Sequence, residues 1–426
     1  MLLSHLSLAH FRNYLQLELD LPSPVVLFQG DNGQGKSNLL EAIYFLATTR
    51  SLRAGIDREL IDWRAMQEPI PFARIAGTVK KARGELKVEI VIRADRAERP
   101  GSALGEVGGK QTGLSKRIKI NGVIRRAMEL IGQINVVMFS PQDLDLIAGS
   151  PHLRRHYLDI ANCQVDSRYC RSLQHYNRVL IQRNHLLKQI REGRQPPENL
   201  EFWSEELARW GGYLLWRRQA TVDELNGTID SYHHQLTASG RRLRISYRSS
   251  LQEATEGWEP ASQQPPTDVV LGPEEAAVQG LQARFAEALR RYRRRETLQG
   301  VSLVGPHRDD LLFLADGIDI NVYGSRGEQR AVALALKLSE VEFMQRATGE
   351  RPILLLDDVM SELDPARRRL LLETVGKSGQ TLISTTDMES FSPQFLAHAA
   401  LFRIENGAVT PLAQPDQQSY NQDRPV

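Results

Sequence analysis

Eight consecutive residues, Gly30-Asp31-Asn32-Gly33-Gln34-Gly35-Lys36-Ser37, carry the strongest chemical signal in the chain. They fit G-x-x-x-x-G-K-[ST], a loop whose glycines let successive backbone N–H groups turn toward a phosphate. In that pattern Lys36 reaches the β- and γ-phosphates of a nucleotide and the Ser37 hydroxyl binds Mg²⁺. Far downstream, Ile353-Leu354-Leu355-Leu356 runs into two acids, Asp357 and Asp358. Asp357, at the tip of a buried strand, suits the Mg²⁺ shell, and Asp358 is placed to polarise an attacking water. A third segment, Ser325-Arg326-Gly327-Glu328-Gln329, puts serine, glycine and an amide at the start of an amphipathic helix, a second place for a phosphate.

These residues need elements to hold them. Val25-Val26-Leu27-Phe28 is a short apolar strand ending at Gly30, and Ser37 to Thr48 reads as a helix with an apolar face of Leu39, Leu40, Ile43, Tyr44 and Leu46. Period-two alternation predicts strands around Leu6–Leu8 and Leu15–Leu19, and further strands are expected at 74–79, 86–92 and 116–120. Between the last two, residues 99–115 are glycine-rich and read as a loop in an antiparallel ribbon.

From about 150 the period changes to three-four. Leu173, Tyr176, Leu180, Leu187 and Ile190 share a helical face with an interruption at Arg183. After Pro196-Pro197, the stretch from Trp203 to Tyr232 keeps the same period, and a third helix holds Leu281, Phe285, Leu289 and Tyr292. A small antiparallel helical arm follows. The Pro-rich stretch 252–273 is expected to be a loop or disordered insert. The resulting division is 1–150 and 299–410 for the two parts of one head, 151–298 for the inserted arm, and 411–426 for a disordered tail.

The 426 residues suffice for such a multi-part protein, and 54 Lys+Arg against 52 Asp+Glu leave a formal charge of +2. Any nucleic-acid surface must come from local patterning. Two cysteines, Cys163 and Cys170, argue against a disulfide scaffold and fit a reducing compartment, and no apolar run is long enough for a membrane span. With no basic-apolar leader at Met1, a cytoplasmic location is expected.

The order of these segments resembles that of ABC-type ATPases. Ser325-x-Gly-Glu-Gln is similar to their signature, Ser361-Glu362-Leu363-Asp364 to their D-loop, and Gln142 in Phe139-Ser140-Pro141-Gln142-Asp143 to the glutamine that senses Mg²⁺ and γ-phosphate. The stretch from Ser140 to Pro151 continuing to Arg154-Arg155, the segment Gly305-Pro306-His307-Arg308-Asp309-Asp310-Leu311, and the opening Leu8-Ala9-His10-Phe11-Arg12-Asn13-Tyr14 narrow the resemblance to the RecF family, relatives of the SMC proteins. That resemblance implies an α/β fold: an ABC-type P-loop ATPase head, a mixed sheet with helices plus an antiparallel β-ribbon, with an inserted short helical arm. It implies ATP and Mg²⁺ as cofactors and an ATP-dependent homodimer in which Ser325, Gly327, Gln329 and Asp364 of one copy meet the nucleotide on the other.

It further implies binding to single- and double-stranded DNA, a role in repair with RecR and RecO, and loading of RecA downstream. Hydrolysis is expected to be slow and DNA-stimulated. Where transporter ATPases carry a switch histidine, this chain has Ser384-Thr385-Thr386-Asp387, which leaves Asp387 as the group nearest that role. The missing histidine and the long insert speak against a transporter subunit, while a non-hydrolysing DNA clamp remains the alternative. Arg53, Arg154, Arg155, Arg293 and Arg294 are the candidate DNA contacts, because a guanidinium donates two bonds to a phosphate.

Overall fold

A computed structural model describes residues 1–94, 113–237, 240–254, 272–377 and 379–413. The core of the glycine-rich 99–115 segment, most of 252–273 and the tail after Pro415 lie outside the described residues. The chain divides into two compact units, one of residues 1–141 and 344–426, the other of residues 142–343. Sequence reading places these divisions at 150 and 298.

The first unit holds two six-stranded sheets. One is wholly antiparallel, in the order β2-β1-β4-β5-β6-β7: β1 (Leu2–Phe11), β2 (Tyr14–Asp20), β4 (Phe72–Lys81), β5 (Gly84–Ala94), β6 (Leu114–Ile120) and β7 (Val123–Arg125). Alternation decides its faces. In β1, Leu6 and Leu8 are buried, and in β5, Val88, Ile90 and Ile92 are buried. The other sheet runs β15-β14-β3-β13-β12-β8, with β3 (Val25–Gln29), β8 (Val136–Phe139), β12 (Ile353–Asp357), β13 (Gln380–Thr385), β14 (Ala400–Glu405) and β15 (Ala408–Pro411). All of its pairings are parallel except β14 with β15. Parallel strands are covered on both faces and read as continuous apolar runs. Accordingly Val26, Leu27, Phe28 and the whole of Ile353–Leu356 are essentially inaccessible.

Helix α1 (Lys36–Thr48) packs its buried Leu39, Leu40, Ile43 and Phe45 in this unit, which also contains the one-turn α2 (Ala127–Leu130), α12 (Pro365–Lys377) and α13 (Pro393–His398).

The second unit is helical around a small sheet. Its helices are α3 (Asp143–Ala148), α4 (Pro151–Val165), α5 (Ser167–Arg191), α6 (Leu200–Asn226), α7 (Ile229–Leu236), the short α8 (Ser250–Ala254), α9 (Pro273–Gln299), the one-turn α10 (Ile320–Tyr323) and the start of α11 (Arg326–Thr348). Asp166 caps α5, its side chain accepting from the N–H groups of Arg168 (2.8 Å) and Tyr169 (3.0 Å). The interruption of the apolar face at Arg183 does not break the helix, for α5 runs straight through it. Arg183 is fully buried, and its Nη2 donates to Glu296 Oε2 of α9 at 2.6 Å. The helix after Pro197 instead breaks near Gly227, between α6 and α7.

A three-stranded antiparallel sheet, β11-β10-β9, joins one strand that falls within the expected helical arm, β9 (Leu243–Arg248), to β10 (Asp310–Ala315) and β11 (Ile318–Asp319). Its pairing of Asp310 with Arg248 and of Ala315 with Leu243 ties residues after 298 to the helical arm. This accounts for the division falling at 343. The segment from Gly305 to Asp310 is part of the same tie. Asp309 accepts from Ser250 N and Oγ, Asp310 pairs with Arg154, and His307 Nδ1 lies 2.6 Å from Tyr176 Oη. Burial pushes the His307 imidazole down to about 3, so it stays neutral.

Candidate nucleotide-binding site

The register of the parallel sheet sets the site. Asp357 of β12 lies level with Ser384 of β13, and Ser384 with Phe28 of β3. The next residues of all three strands therefore emerge together at the carboxyl edge, where open parallel sheets bind ligands. They are Gly30, Asp358 and the turn leading to Asp387.

Between β3 and α1 the glycine loop is held at each end. A Cβ on Gly30 would stand 2.3 Å from the Ile404 carbonyl oxygen, so only glycine fits. Gly35 has φ 116°, a conformation that favours glycine, and the Asn13 side chain fills the space a Cβ would take. Asn13 Nδ2 donates to the Gln34 carbonyl (2.9 Å), Tyr14 Oη to the Gly35 carbonyl (3.0 Å), and Asn38 Nδ2 to Asn13 Oδ1 (2.9 Å). On the other side, the Gln34 side chain accepts from Asn406 N at 2.6 Å. Arg12 forks onto Glu41 of α1 with two bonds of 2.9 Å. Asn13, Tyr14, Arg12 and Glu41 thus brace the loop. Phe11-Arg12-Asn13-Tyr14 forms the turn between β1 and β2, and its partners are not legible in the sequence.

Lys36 is buried, and its Nζ donates to the carbonyls of Gly30 (2.6 Å) and Asp31 (2.9 Å). Burial lowers its pKa, while Asp358, Asp357 and Asp31 oppose the shift. Ser37 Oγ donates to Asp357 Oδ1 at 2.7 Å, across 320 residues of sequence. Ser384 Oγ donates to the same oxygen at 2.9 Å, and Arg53 Nη2 donates to the other, Oδ2, at 2.9 Å. Arg53, selected by sequence as a DNA contact, therefore stands at the nucleotide loop with its guanidinium on the strand-tip acid.

Asp358 follows in a left-handed conformation (φ 54°), with Oδ1 buried and without a hydrogen-bond partner among the described residues. Burial raises its pKa, with Lys36 acting against the shift and Asp357 reinforcing it. The donor set fits Mg²⁺, a hard cation that takes hydroxyl and carboxylate oxygens. The loop also fits a phosphate chain, having a lysine and a helix start at one end.

Asp387 closes its own turn: its Oδ1 accepts from Glu389 N at 2.8 Å. Asp364 is exposed and caps α12, accepting from Arg367 N at 3.0 Å. Ser361 Oγ donates to the Asp358 carbonyl at 2.8 Å, which steadies the turn that carries the acid.

The remaining sequence candidates lie in the second unit. Gln142 is exposed at the start of α3. Ser325 and Gly327 are exposed at the start of α11, where Ser325 and Glu328 form a reciprocal cap. Ser325 N and Oγ donate to Glu328 Oε2 (2.9 and 2.8 Å), and Glu328 N donates back to Ser325 Oγ (3.3 Å). Arg241 Nη1 holds the other Glu328 oxygen at 3.1 Å. Gln329 turns inward and donates to the Ile320 carbonyl at 3.2 Å.

Arg154 is buried, and its fork is committed to Asp310 (2.7 and 3.0 Å), with further bonds to the Ile147 and Gly149 carbonyls. Arg155 donates to the Asp309 carbonyl at 2.7 Å, and Arg293 to that of Pro197 at 2.6 Å. Arg294 is exposed. Of these four, Arg154 and Arg155 hold the fold, and their commitments were invisible to a reading of local charge. Among the described residues no cluster of His, Cys, Asp and Glu is placed to hold a further metal, and no helix is long and apolar enough to cross a membrane.

A family model described as the RecF/RecN/SMC N terminal domain matches residues 2–408. A protein of Chloroflexus aurantiacus called DNA replication and repair protein RecF is 42% identical over 416 residues, 96% of this chain and 99% of its own. A relative of the same name from Herpetosiphon aurantiacus is 42% identical over 419 residues, 96% of this chain and 100% of its own. Among solved structures, the recombination mediator protein RecF-ATPrS of the RecFOR pathway superposes with a TM-score of 0.77 at 31% identity, covering 97% of this chain and 98% of that one. An SMC head bound to the C-winged helix domain of ScpA shares the fold at a TM-score of 0.50 and 15% identity, covering 99% of this chain and 100% of that one.

Proposed function

Since the chain belongs to the RecF/RecN/SMC family, we propose that it is an ATP-binding DNA replication and repair protein that uses ATP to join two copies on DNA. The observation that carries this reading is the meeting of Ser37, Asp357 and Lys36 at one sheet edge, with Asp358 beside them. When bound, ATP supplies a triphosphate that two copies can share, and Mg²⁺ neutralises part of its charge.

The residues divide the work. The N–H groups of residues 30–37 and Lys36 bind the phosphates. Ser37 and Asp357 would hold Mg²⁺, and Arg53 would then compete with it for the Asp357 carboxylate. Asp358 takes the proton of the attacking water on a carboxylate oxygen. Burial raises its pKa and so makes it a stronger base than an exposed aspartate. Ser325 and Gly327 of a second copy complete the site from the opposite side, so a two-fold interface makes two sites. Loss of the γ-phosphate then removes the bridge and lets the copies part.

Gln142 and Asp364 belong to this reading as the residues that report nucleotide state across the interface, and Gln329 as a support of the α11 start. Asp387 and the short Asp358 stem favour slow turnover. The pathway named for the solved relatives supports RecR and RecO as partners; RecA downstream rests on the family resemblance.

The test is ATP binding and phosphate release with and without gapped DNA. Lys36→Ala is expected to weaken ATP binding about a hundredfold, the worth of one or two charge-assisted hydrogen bonds. Unchanged binding would exclude this site. ATP-dependent dimerisation without any phosphate release would favour the non-hydrolysing clamp.

A further inference from the structure

Away from the nucleotide loop, the second unit contains a cavity of about 350 Å³ between α5, α6 and α9. Three guanidiniums, those of Arg168, Arg171 and Arg209, line it together with His175 and Trp210, and no carboxylate lines it among the described residues. The His175 ring lies flat on that of Trp210, with centroids 4.3 Å apart and planes 11° apart. Trp210 is half-buried, and its Nε1 donates to Glu206 at 3.1 Å, which fixes the lower ring. His175 is exposed and offers its outer face. Beside it, the Arg168 guanidinium stacks 4.0 Å above Tyr213, whose Oη is anchored on Asp166 (2.6 Å).

The charge does not stop at the cavity. Arg168, Arg171, His175 and Arg178 follow one another at spacings of three, four and three on α5, and all four are exposed. At 1.5 Å per residue they form one stripe about 15 Å long. Arg171 and Arg178 make no ion pair among the described residues. Arg168 pairs with Glu274 (3.0 Å) and Arg209 with Glu206 (3.3 Å), both exposed pairs that an anion can displace at little cost.

We propose that this face of the arm binds single-stranded nucleic acid, with a base on the His175–Trp210 stack and phosphates on Arg171 and Arg178. An extended line of cations beside a flat stacked pair is the arrangement that follows a strand without reading its sequence. A small anion would use one end of the stripe. An acidic peptide would use the cations and leave the stack empty. The site requires neither ATP nor a second copy, so it stands apart from the nucleotide-joined dimer.

The experiment uses the full chain without nucleotide and a fluorescein-labelled oligo-dT, followed by anisotropy over a range of salt. Arg171→Ala with Arg178→Ala should lower affinity about tenfold and reduce the log–log salt slope by about 1.4, two single-strand contacts at about 0.7 each. His175→Ala should lower affinity about five- to tenfold and leave the slope unchanged, the signature of lost stacking. These side chains are exposed, so melting temperature and ATP-dependent dimerisation should match the parent. That match separates a failure here from a failure of the dimer reading. Unchanged affinity and slope in the double variant would overturn the proposal. So would equally strong competition by polyglutamate, which would mark a general anion face.

Discussion

Two arginine–carboxylate pairs, one in each unit, have opposite characters. Arg53 and Asp357 meet at 2.9 Å with the arginine side chain 31% exposed, beside a loop built for phosphate. Arg183 and Glu296 meet at 2.6 Å with both side chains wholly buried. Arg183 also donates to Ser302 Oγ at 2.7 Å, and Glu296 Oε1 accepts from Leu303 N at 2.7 Å. The second pair is saturated with partners and cut off from water, so its charges have nowhere else to go. The first is open on one side, so a competing cation can take its carboxylate. Chemical type is the same in both. Exposure and the remaining partners decide whether a pair is a fastener or an exchangeable contact.

The sharpest way to break this contrast is to remove one member of the sealed pair. Arg183→Ala should destabilise the second unit by about 3–5 kcal/mol, because Glu296 is left as an uncompensated buried charge. Urea denaturation would measure it, and a loss under 1 kcal/mol would show that water reaches the site. Replacing both partners, Arg183→Met with Glu296→Leu, should recover most of that loss, since a packed apolar pair replaces the ions at little net cost. Arg53→Ala should cost clearly less than Arg183→Ala in the same assay, because Asp357, though buried, keeps its bonds from Ser37 and Ser384. A large loss there would make the open pair structural too.

The smallest effect concerns the cap at α11. Hydrogen bonds from Ser325 N–H and O–H hold Glu328 below the usual carboxylate range, with Arg241 assisting. A depressed acid contributes stability above its unfolded pKa of about 4.3 and loses it as pH falls through the folded value. Glu328→Gln should therefore melt slightly lower than the parent at pH 7, with the difference vanishing in acid. Arg241 also neutralises a carboxylate lying beside the exposed Ser325. Arg241→Ala should weaken ATP-dependent dimerisation, and adding Glu328→Gln should restore part of it, as light scattering against ATP concentration would show.

The contrast also explains what was legible in the sequence. Glycine loop, strand-tip acids and the α11 start are contiguous patterns, so their identity and the elements flanking them could be read directly. The apolar run before Asp357 reads as a buried strand, and β12 pairs in parallel on both sides. Arg183 misled because local periodicity treats a charge on an apolar face as an interruption. Its partner Glu296 is 113 residues away, and only the fold brings the two together. β9 was missed for the same reason: a six-residue strand within a helical zone is decided by its pairing with β10. Arg154 reads as a free cation until Asp310 arrives from 156 residues downstream. The bracing of the glycine loop by Asn13 and Tyr14 is likewise a long-range contact that no spacing records.

If ATP joins two copies of this chain and Asp358 is needed to release them, loss of the Asp358 carboxylate should trap the dimer. Light scattering on the Asp358→Asn protein, eluted with and without ATP and Mg²⁺, tests it most directly. The account predicts a monomer without nucleotide and a dimer that accumulates with ATP and persists. A protein that remains monomeric at saturating ATP would contradict it.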